Sequence, residues 1–143
     1  MAVEPKFVLD SRLDADSVLL KHIDEFQVRM IDDARYPWVI IVPERPGLKE
    51  IFDLPPEAAL RLGRLAIRLA REMKPAFAAD KINLGIMGNV IPQLHLHVVA
   101  RTETDPAWPG SVWGTGQRKR LTETARAARA AVFLRVLFKI EEE

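Results

Sequence analysis

Two histidines separated by one residue stand out in this chain, in the segment Gln93-Leu94-His95-Leu96-His97-Val98-Val99. Histidine is a competent nucleophile toward phosphorus, and it can also act as an acid or a base near neutral pH. Two imidazoles on an otherwise apolar segment are costly to bury unless they are hydrogen-bonded. If the segment is a β-strand, the period of two places five side chains on one face: Gln93, His95, His97, Val99 and Arg101.

Spacing alone leaves three other interpretations of this face open. The histidines can be structural residues whose hydrogen bonds are satisfied inside the protein. A His-x-His pair can also supply two ligands of a metal site, with His22 or a carboxylate as a conjectural third ligand. Arg101 can simply cap a solvated end of the strand. The residue spacing does not choose among these interpretations.

Two loops flank the histidines and are candidates for ligand binding. The first, Gly85-Ile86-Met87-Gly88-Asn89, can bring backbone N–H groups close to an anion. The second covers residues 102–117, is rich in proline, glycine and tryptophan, and is long enough to suggest a functional role. Trp113 in this loop is a candidate lid that stacks over a base, and packing of a surface loop or of a dimer interface explains it equally well.

The elements that must position the histidines are predicted to be strands and two main helices. Apolar alternation and β-branched residues indicate strands at 18–23, 26–30, 38–42, 81–86 and 91–101, after a short arm at 1–10 and a turn at 13–17. An apolar stripe indicates a helix that begins near Pro55 or Pro56 and stops at Pro75, and a second helix covers roughly 118–140. This pattern predicts an α+β fold with a mainly antiparallel sheet of about five strands.

Composition restricts the class of protein and its partners. The 143 residues suit a single domain spanning 1–143, and 48% hydrophobic with 29% charged residues is ordinary for a globular protein. A formal net charge of +1 predicts no nucleic-acid or membrane partner. The absence of cysteine excludes thiol chemistry and is compatible with a reducing cytoplasm, our predicted location. We expect no signal peptide, because no apolar segment follows the polar amino terminus.

The segment 93–99 resembles the motif of the histidine triad superfamily, His-φ-His-φ-His-φ-φ, where φ is apolar. Upstream, residues 83–91 resemble the family's Asn-x-Gly…Gly-Gln-Ser/Thr-Val lead-in, shortened by about one residue. Residues 33–43 resemble its Asp…Pro-x-His strand, and residues 52–57 resemble the entry to its long helix. The resemblance covers roughly residues 18–101, and the loop and helix at 102–143 are not matched.

The resemblance implies a fold, an activity and a nucleophile. The family fold is an antiparallel sheet with two helices, commonly paired into a homodimer with a continuous sheet. Family members bind nucleotides and hydrolyse or transfer at the α-phosphate of phosphoanhydrides, phosphoramidates or dinucleoside polyphosphates such as diadenosine tetraphosphate. Carried onto this chain, the nucleophile is His95, which would form a nucleotidyl-histidine intermediate. A backbone carbonyl would orient its other ring nitrogen and so fix the tautomer.

The resemblance also assigns roles to residues around His95. His97 matches the third motif position and would contact phosphate oxygens or tune His95. Asn83 would bind the phosphate or the leaving group, Asn89 stands at a phosphate-binding position, and Asp33 would hold the ribose hydroxyls. Three apolar residues are candidate walls of the base pocket: Ile23, Phe26 and Ile41.

This chain departs from the family pattern where protons are handled. Gln93 replaces the first triad histidine, and an amide cannot carry a proton to a leaving group. Asn89 is one methylene shorter than the usual glutamine, and Val90 stands where serine or threonine often helps to protonate the leaving group. Trp38 and Pro46 stand where other members have histidine. The departures suggest a slower enzyme, a leaving group that needs no acid, or a binder without turnover.

Three functions follow, in order of preference. The first is a nucleotide hydrolase or nucleotidyl transferase with His95, His97 and Gln93 in its catalytic site. The second is a non-catalytic nucleotide-binding module, and the third is a structural dimer with a vestigial site. The family's chemistry implies no obligatory metal or other cofactor, although a divalent cation can accompany the substrate phosphates. The expected partners are a nucleotide and a second copy of the chain.

Overall fold

In the computed structural model of the protein, which describes residues 5–142, five strands form one sheet in the order β1-β2-β3-β5-β4. Every neighbouring pair is antiparallel. The strands are β1 Ser17–Ile23, β2 Phe26–Ile31, β3 Trp38–Pro43, β4 Lys81–Gly85 and β5 Leu96–Arg101. The predicted α+β class with a five-stranded antiparallel sheet is confirmed.

Three α-helices accompany the sheet: α1 Ser11–Asp16, α2 Pro56–Ala76 and α3 Glu123–Glu142, with a 3-10 turn at Ile51–Asp53 before α2. Proline in the first turn of α2 suits its fixed φ and missing N–H, and the helix ends one residue beyond Pro75. The predicted turn at 13–17 is wrong, because Asp10 caps a short helix by accepting a hydrogen bond from the Arg12 N–H.

The second main helix begins later than predicted. It begins at Glu123, five residues after the predicted start at 118. The backbone N–H of Leu121 donates to the Asp32 carboxylate at 3.0 Å, and Arg120 pairs with the same carboxylate at 3.1 Å. These long-range contacts hold residues 118–122 outside the helix.

The strand that carries the histidines also begins later than predicted. β5 begins at Leu96, so Gln93 and His95 lie just before it and not within it. Pro92 cannot donate to a strand ladder, which favours irregular backbone at this point. The N–H of Leu94 instead donates to the carbonyl of Leu48 at 3.0 Å, and this bond anchors the approach to the strand.

The three central strands β2, β3 and β5 are buried on both faces of the sheet, and the two faces are different. One face packs against α2 and α3 through a core that includes Val28, Met30, Val39, Ile41, Leu96 and Val98. The opposite face carries Ile31, Trp38, Ile40, Val42 and Val99, covered by Leu13 of α1, Tyr36 and Val112. The histidines belong to this second face, as the period of two predicts.

The predicted base-pocket walls lie on the other side of the sheet. Phe26 and Ile41 are buried in the core beneath the helices, and Ile23 packs against the same core. This prediction is wrong, because alternation places these side chains on the face opposite to the histidines.

No helix within residues 5–142 combines the length and the apolarity that crossing a bilayer requires.

Candidate active site

A pocket of about 570 Å³ opens on the face of the sheet opposite to α2 and α3. Its walls come from α1, the β2–β3 connection, the loop at 87–91, the start of β5 and the segment 112–118. Four of the predicted site residues line it, namely His95, His97, Asn89 and Asp33, together with Trp113. Gln93 and Asn83 do not line it.

The ring of His95 is held in one tautomer by the backbone. Its Nδ1 lies 2.6 Å from the carbonyl oxygen of Gln93. A carbonyl can only accept, so Nδ1 carries the proton and Nε2 keeps its lone pair. Burial lowers the pKa of His95 below its usual value, and the bond to the Gln93 carbonyl opposes this change. His95 is therefore a neutral imidazole near pH 7, with a nucleophilic Nε2 in the pocket wall.

His97 is held in the opposite tautomer by a side chain. The indole Nε1 of Trp38 donates to Nδ1 of His97 at 2.9 Å, so the proton of this ring lies on Nε2. Burial, with a smaller contribution from the nearby His95, lowers the pKa of His97 to about 3. The two imidazole centroids are 4.7 Å apart. The site thus pairs one neutral imidazole that keeps a free lone pair on Nε2, His95, with another that carries its proton on Nε2, His97.

Trp113 lies edge-on beside His97. Its ring centroid is 5.5 Å from that of His97 and 6.4 Å from that of Trp38. Its indole N–H is buried and has no hydrogen-bond partner within the described residues. Gly85 makes room for the ring, because a Cβ there would lie 3.0 Å from Trp113 Cη2. Trp113 therefore forms a wall beside the histidines, and the lid over a base remains a prediction.

Gln93 does not line the pocket, and its side chain contacts the start of the chain. Its side-chain Nε2 donates to the carbonyl of Val8 at 2.9 Å, and its Oε1 accepts from the N–H of Asp10 at 2.8 Å. The predicted arm at 1–10 is therefore not free over the described part of its length, and residues 1–4 lie outside the described residues. The structure does not bring the Gln93 amide into the site, where a triad histidine was expected.

Asn83 is engaged with a buried arginine. Its Oδ1 accepts from Nη1 of Arg101 at 2.9 Å. Arg101 is 1% exposed and also pairs with Asp105 at 2.7 Å and the carbonyl of Gly110 at 2.8 Å. A solvated cap of the strand end is therefore the wrong interpretation of Arg101. Asn83 and Arg101 instead hold the loop that leads to Trp113.

Asp33 lines the pocket but is already bound. Both of its carboxylate oxygens accept hydrogen bonds from Arg35, with Nη2 at 2.8 Å and Nε at 3.0 Å. Burial raises the pKa of Asp33, but the bonds from Arg35 outweigh burial and the pKa is lowered. The carboxylate is charged and occupied by Arg35, so a ribose hydroxyl would have to share its oxygens with that guanidinium.

Sequence reasoning missed several pocket residues. Leu13 and Asp16 come from α1, which was not predicted, and Arg35 is identifiable only through its bond to Asp33. Arg118 lines the pocket and pairs with Asp16 at 2.9 Å, although a solvated basic cluster was an adequate explanation of its sequence context. The two ion pairs leave the charged lining balanced. No sequence pattern links Asp16 to Arg118, which are 102 residues apart.

His22 does not approach the other histidines. It lies on β1, where its Nε2 is 3.4 Å from Glu44, and it is not among the pocket residues. A metal site that joins His22 to His95 and His97 is therefore wrong. Within residues 5–142, no group of three or more histidine, aspartate or glutamate side chains is placed to hold a metal ion.

Comparison with known proteins agrees with this geometry. The family model "HIT domain" matches residues 12–104. A histidine triad protein from Sinorhizobium meliloti 1021 is 40% identical, with a TM-score of 0.87 over 90% of this chain and 96% of that one. One from Marinobacter aquaeolei VT8 is 38% identical, with a TM-score of 0.91 over 94% and 98% of the two chains. One from Bradyrhizobium japonicum is 36% identical, with a TM-score of 0.88 over 92% and 98%. The search of curated proteins gave no match.

Proposed function

Because this chain belongs to the histidine triad family, we propose that it is a nucleotide-binding hydrolase or nucleotidyl transferase that acts at an α-phosphate through His95. The observation that carries this proposal is the 2.6 Å contact between Nδ1 of His95 and the Gln93 carbonyl. It leaves the lone pair on Nε2, in the wall of a pocket large enough for a nucleotide. Membership supports a nucleotide-directed hydrolase or transferase at the level of the superfamily.

The proposed reaction has two displacements at phosphorus. In the first, Nε2 of His95 bonds to the α-phosphorus while the bond to the leaving group breaks, and that group departs with the electron pair. In the second, water attacks the same phosphorus, the P–N bond breaks, the electron pair returns to Nε2, and the proton lost by the water passes to solvent. The leaving group takes its proton from water, because no acid stands at position 93. Leaving groups that are stable as anions are therefore favoured.

Donors for the phosphate oxygens surround this nucleophile. Nε2–H of His97 is one, since Trp38 occupies the other nitrogen of the ring. Residues 87–90 line the same pocket, and their backbone N–H groups donate to no acceptor in the described part of the chain. Such loop amides are suited to bind anions. Asn89 supplies a further amide at the position carried over from the family.

The substrate class, cofactor, partner and location are proposed on the same basis. The candidate substrates are phosphoanhydrides, phosphoramidates and dinucleoside polyphosphates such as diadenosine tetraphosphate. The two displacements use no metal or other cofactor, and a divalent cation would accompany the substrate's phosphates. A cytoplasmic location stays a prediction from the absence of cysteine.

We also propose that two copies pair into a homodimer along the β4 edge of the sheet. β4 ends the strand order, its Leu84 is 48% exposed, and α2 beside it exposes Leu60 and Ile67. An open edge strand next to exposed apolar side chains is a suitable pairing surface. Sedimentation of the wild type and of Ile67→Glu tests this: a dimer that Ile67→Glu dissociates is expected, and a monomeric wild type would contradict it.

A non-catalytic nucleotide-binding module is the second candidate. It is favoured by the position of the Gln93 amide, which bonds to the backbone of residues 8 and 10 and brings no proton donor to the site. The pocket and its donors would then bind a nucleoside monophosphate without turnover.

One experiment separates these functions. Diadenosine tetraphosphate or adenosine 5′-phosphoramidate is mixed with excess wild-type protein, His95→Asn, or the control His22→Asn, which lies away from the pocket. We expect a nucleotidyl adduct and product with the wild type and the control but not with His95→Asn. If His95→Asn turned over the substrate as fast as the wild type, His95 could not be the nucleophile. Binding of AMP without turnover by any protein would favour the module, and no binding would leave a structural dimer.

A further inference from the structure

The start of the chain crosses the site face as an extended strap, here defined as residues 7–10. Phe7 and Leu9 pack against the apolar cluster of that face, whereas Val8 between them is 76% exposed. This alternation is typical of a strand laid on a sheet surface. The strap leads directly into α1, whose Leu13 lines the pocket. Its position therefore affects the shape of the pocket.

The Gln93 side chain holds this strap at two points. Its amide donates to the carbonyl of residue 8 at 2.9 Å and accepts from the N–H of residue 10 at 2.8 Å. One residue of a parallel strand pairs with its neighbour in the same way, through the residues before and after it. The side chain of Gln93 thus forms the two hydrogen bonds that one residue of a neighbouring parallel strand would form. A second link, from Arg12 Nη1 to the Val90 carbonyl at 3.1 Å, ties α1 to the loop at 87–91.

A glutamine side chain can form this pair of hydrogen bonds, and a histidine side chain cannot. The amide oxygen and one amide hydrogen of glutamine point in nearly the same direction, so both can reach one extended strand. The two nitrogens of an imidazole point away from each other around the ring. A histidine at position 93 could therefore bond to Val8 or to Asp10 but not to both.

The same residue also orients the nucleophile. The carbonyl of Gln93 accepts from Nδ1 of His95, while its side chain is fixed by the strap. We propose that Gln93 is a positioning residue that clips the strap to the site and thereby holds in place the carbonyl that orients His95. The catalytic meaning of this clip rests on the proposed function. Position 93 thus anchors the strap and supplies no acid.

Two readouts test the clip without any need for turnover. Hydrogen exchange of the Asp10 amide reports the bond to Gln93 Oε1. The NMR titration of His95 reports its surroundings, because burial is the main cause of its lowered pKa. Among the charged groups, Asp10 of the strap acts to raise the pKa of His95. The other charged residues that face the same pocket are Asp16, Asp33, Arg35 and Arg118. The matched control is Gln117→Ala, which removes an exposed glutamine outside the pocket lining.

The expected changes have the same sign in Gln93→Ala and Gln93→His, but they are smaller in Gln93→His, which can keep one of the two hydrogen bonds. In Gln93→Ala, exchange of the Asp10 amide should rise at least tenfold, and the His95 titration should move to higher pH as water reaches the ring. With a substrate that the wild type turns over, kcat should fall by about tenfold and KM should change less. The reason is that the substitution displaces the nucleophile but leaves the binding surface in place. Gln117→Ala should behave like the wild type in all three measurements.

Other outcomes would overturn the clip. Wild-type exchange at Asp10 in both position-93 variants would show that Gln93 does not hold the strap. An unchanged His95 titration would show that the strap does not act on the nucleophile. If the position-93 variants do not fold, Leu9→Ala loosens the strap from its packed side, and it should produce smaller changes of the same sign. A wild type without turnover would contradict the proposed function while leaving the exchange and titration tests in force.

Discussion

Trp38 donates its indole N–H to Nδ1 of His97 at 2.9 Å, and this single bond determines which nitrogen of His97 carries the proton. The partner is 59 residues away along the chain and on the neighbouring strand β3. In this arrangement His97 can donate through Nε2–H to a phosphate oxygen, but it cannot act as a cation near neutral pH, because burial holds its pKa at about 3.

Trp38→Phe should allow the ring of His97 to adopt both neutral tautomers. The ring bulk is largely retained, but the donor is lost, and the buried Nδ1 loses its partner at a cost of about 1–3 kcal/mol. Imidazole nitrogen NMR should show the Nε2–H tautomer in the wild type and a mixture in the variant. Trp113→Phe is the matched control, because the indole N–H of Trp113 has no hydrogen-bond partner among residues 5–142. A pure Nε2–H tautomer in Trp38→Phe would contradict the assignment.

Acidification should destabilise the protein through His97. A base whose pKa is lower in the folded state binds more protons when the protein is unfolded. The contribution of His97 to stability is therefore complete above pH 6.5 and is lost as the pH falls toward about 3. We expect the free energy of unfolding to decline from about pH 6.5 to about pH 4.5, a range in which ordinary carboxylates change little. Denaturant titrations of His97→Asn should give a flatter slope over this range. The exposed histidine variant His22→Asn should keep the wild-type slope, and a slope unchanged in His97→Asn would refute the prediction.

Gly85→Ala should displace Trp113 from the wall of the pocket. The added Cβ would lie 2.8 Å from Met87 Cε and 3.0 Å from Trp113 Cη2, and the rigid indole has little freedom to yield. We expect weaker nucleotide binding, by roughly tenfold, and a changed tryptophan emission spectrum. Gly63→Ala is the control. Residue 63 lies in the helix α2, and a Cβ added there would meet no atom within 4 Å. Unchanged emission and affinity in Gly85→Ala would show that Trp113 is not wedged there.

Arg101→Met should be among the most destabilising single substitutions on the site face. It would leave the carboxylate of Asp105 buried without its partner, which typically costs about 3–5 kcal/mol. The loop from Asp105 to Gly110 should also exchange its amide hydrogens faster, because Arg101 bonds to both ends. Arg45→Met breaks a more exposed pair with Glu25 and should cost less than about 1 kcal/mol in urea unfolding. Equal losses in the two variants would contradict a structural role for Arg101.

Local sequence patterns determined on which face of the sheet His95 and His97 lie. The alternation of Leu94, His95, Leu96 and His97 separates core from site, because neighbouring residues of extended chain point in opposite directions. The apolar stripe of α2 and the β-branched residues of β3 predicted their elements for the same reason, since burial on one side imposes a period on the sequence. The family motif at 93–99 then identified His95 as the candidate nucleophile.

Tertiary structure alone decided which partner each polar side chain binds. Gln93 contacts backbone more than 80 residues away, Asn83 binds Arg101, and Asp33 is occupied by Arg35. The period of a strand fixes a direction but not a neighbour, and α1 is a helix too short to leave an apolar period. The sequence therefore placed His95, the proposed nucleophile, on a buried face, whereas the tertiary structure alone placed the side chain of Gln93 against the backbone of residues 8 and 10.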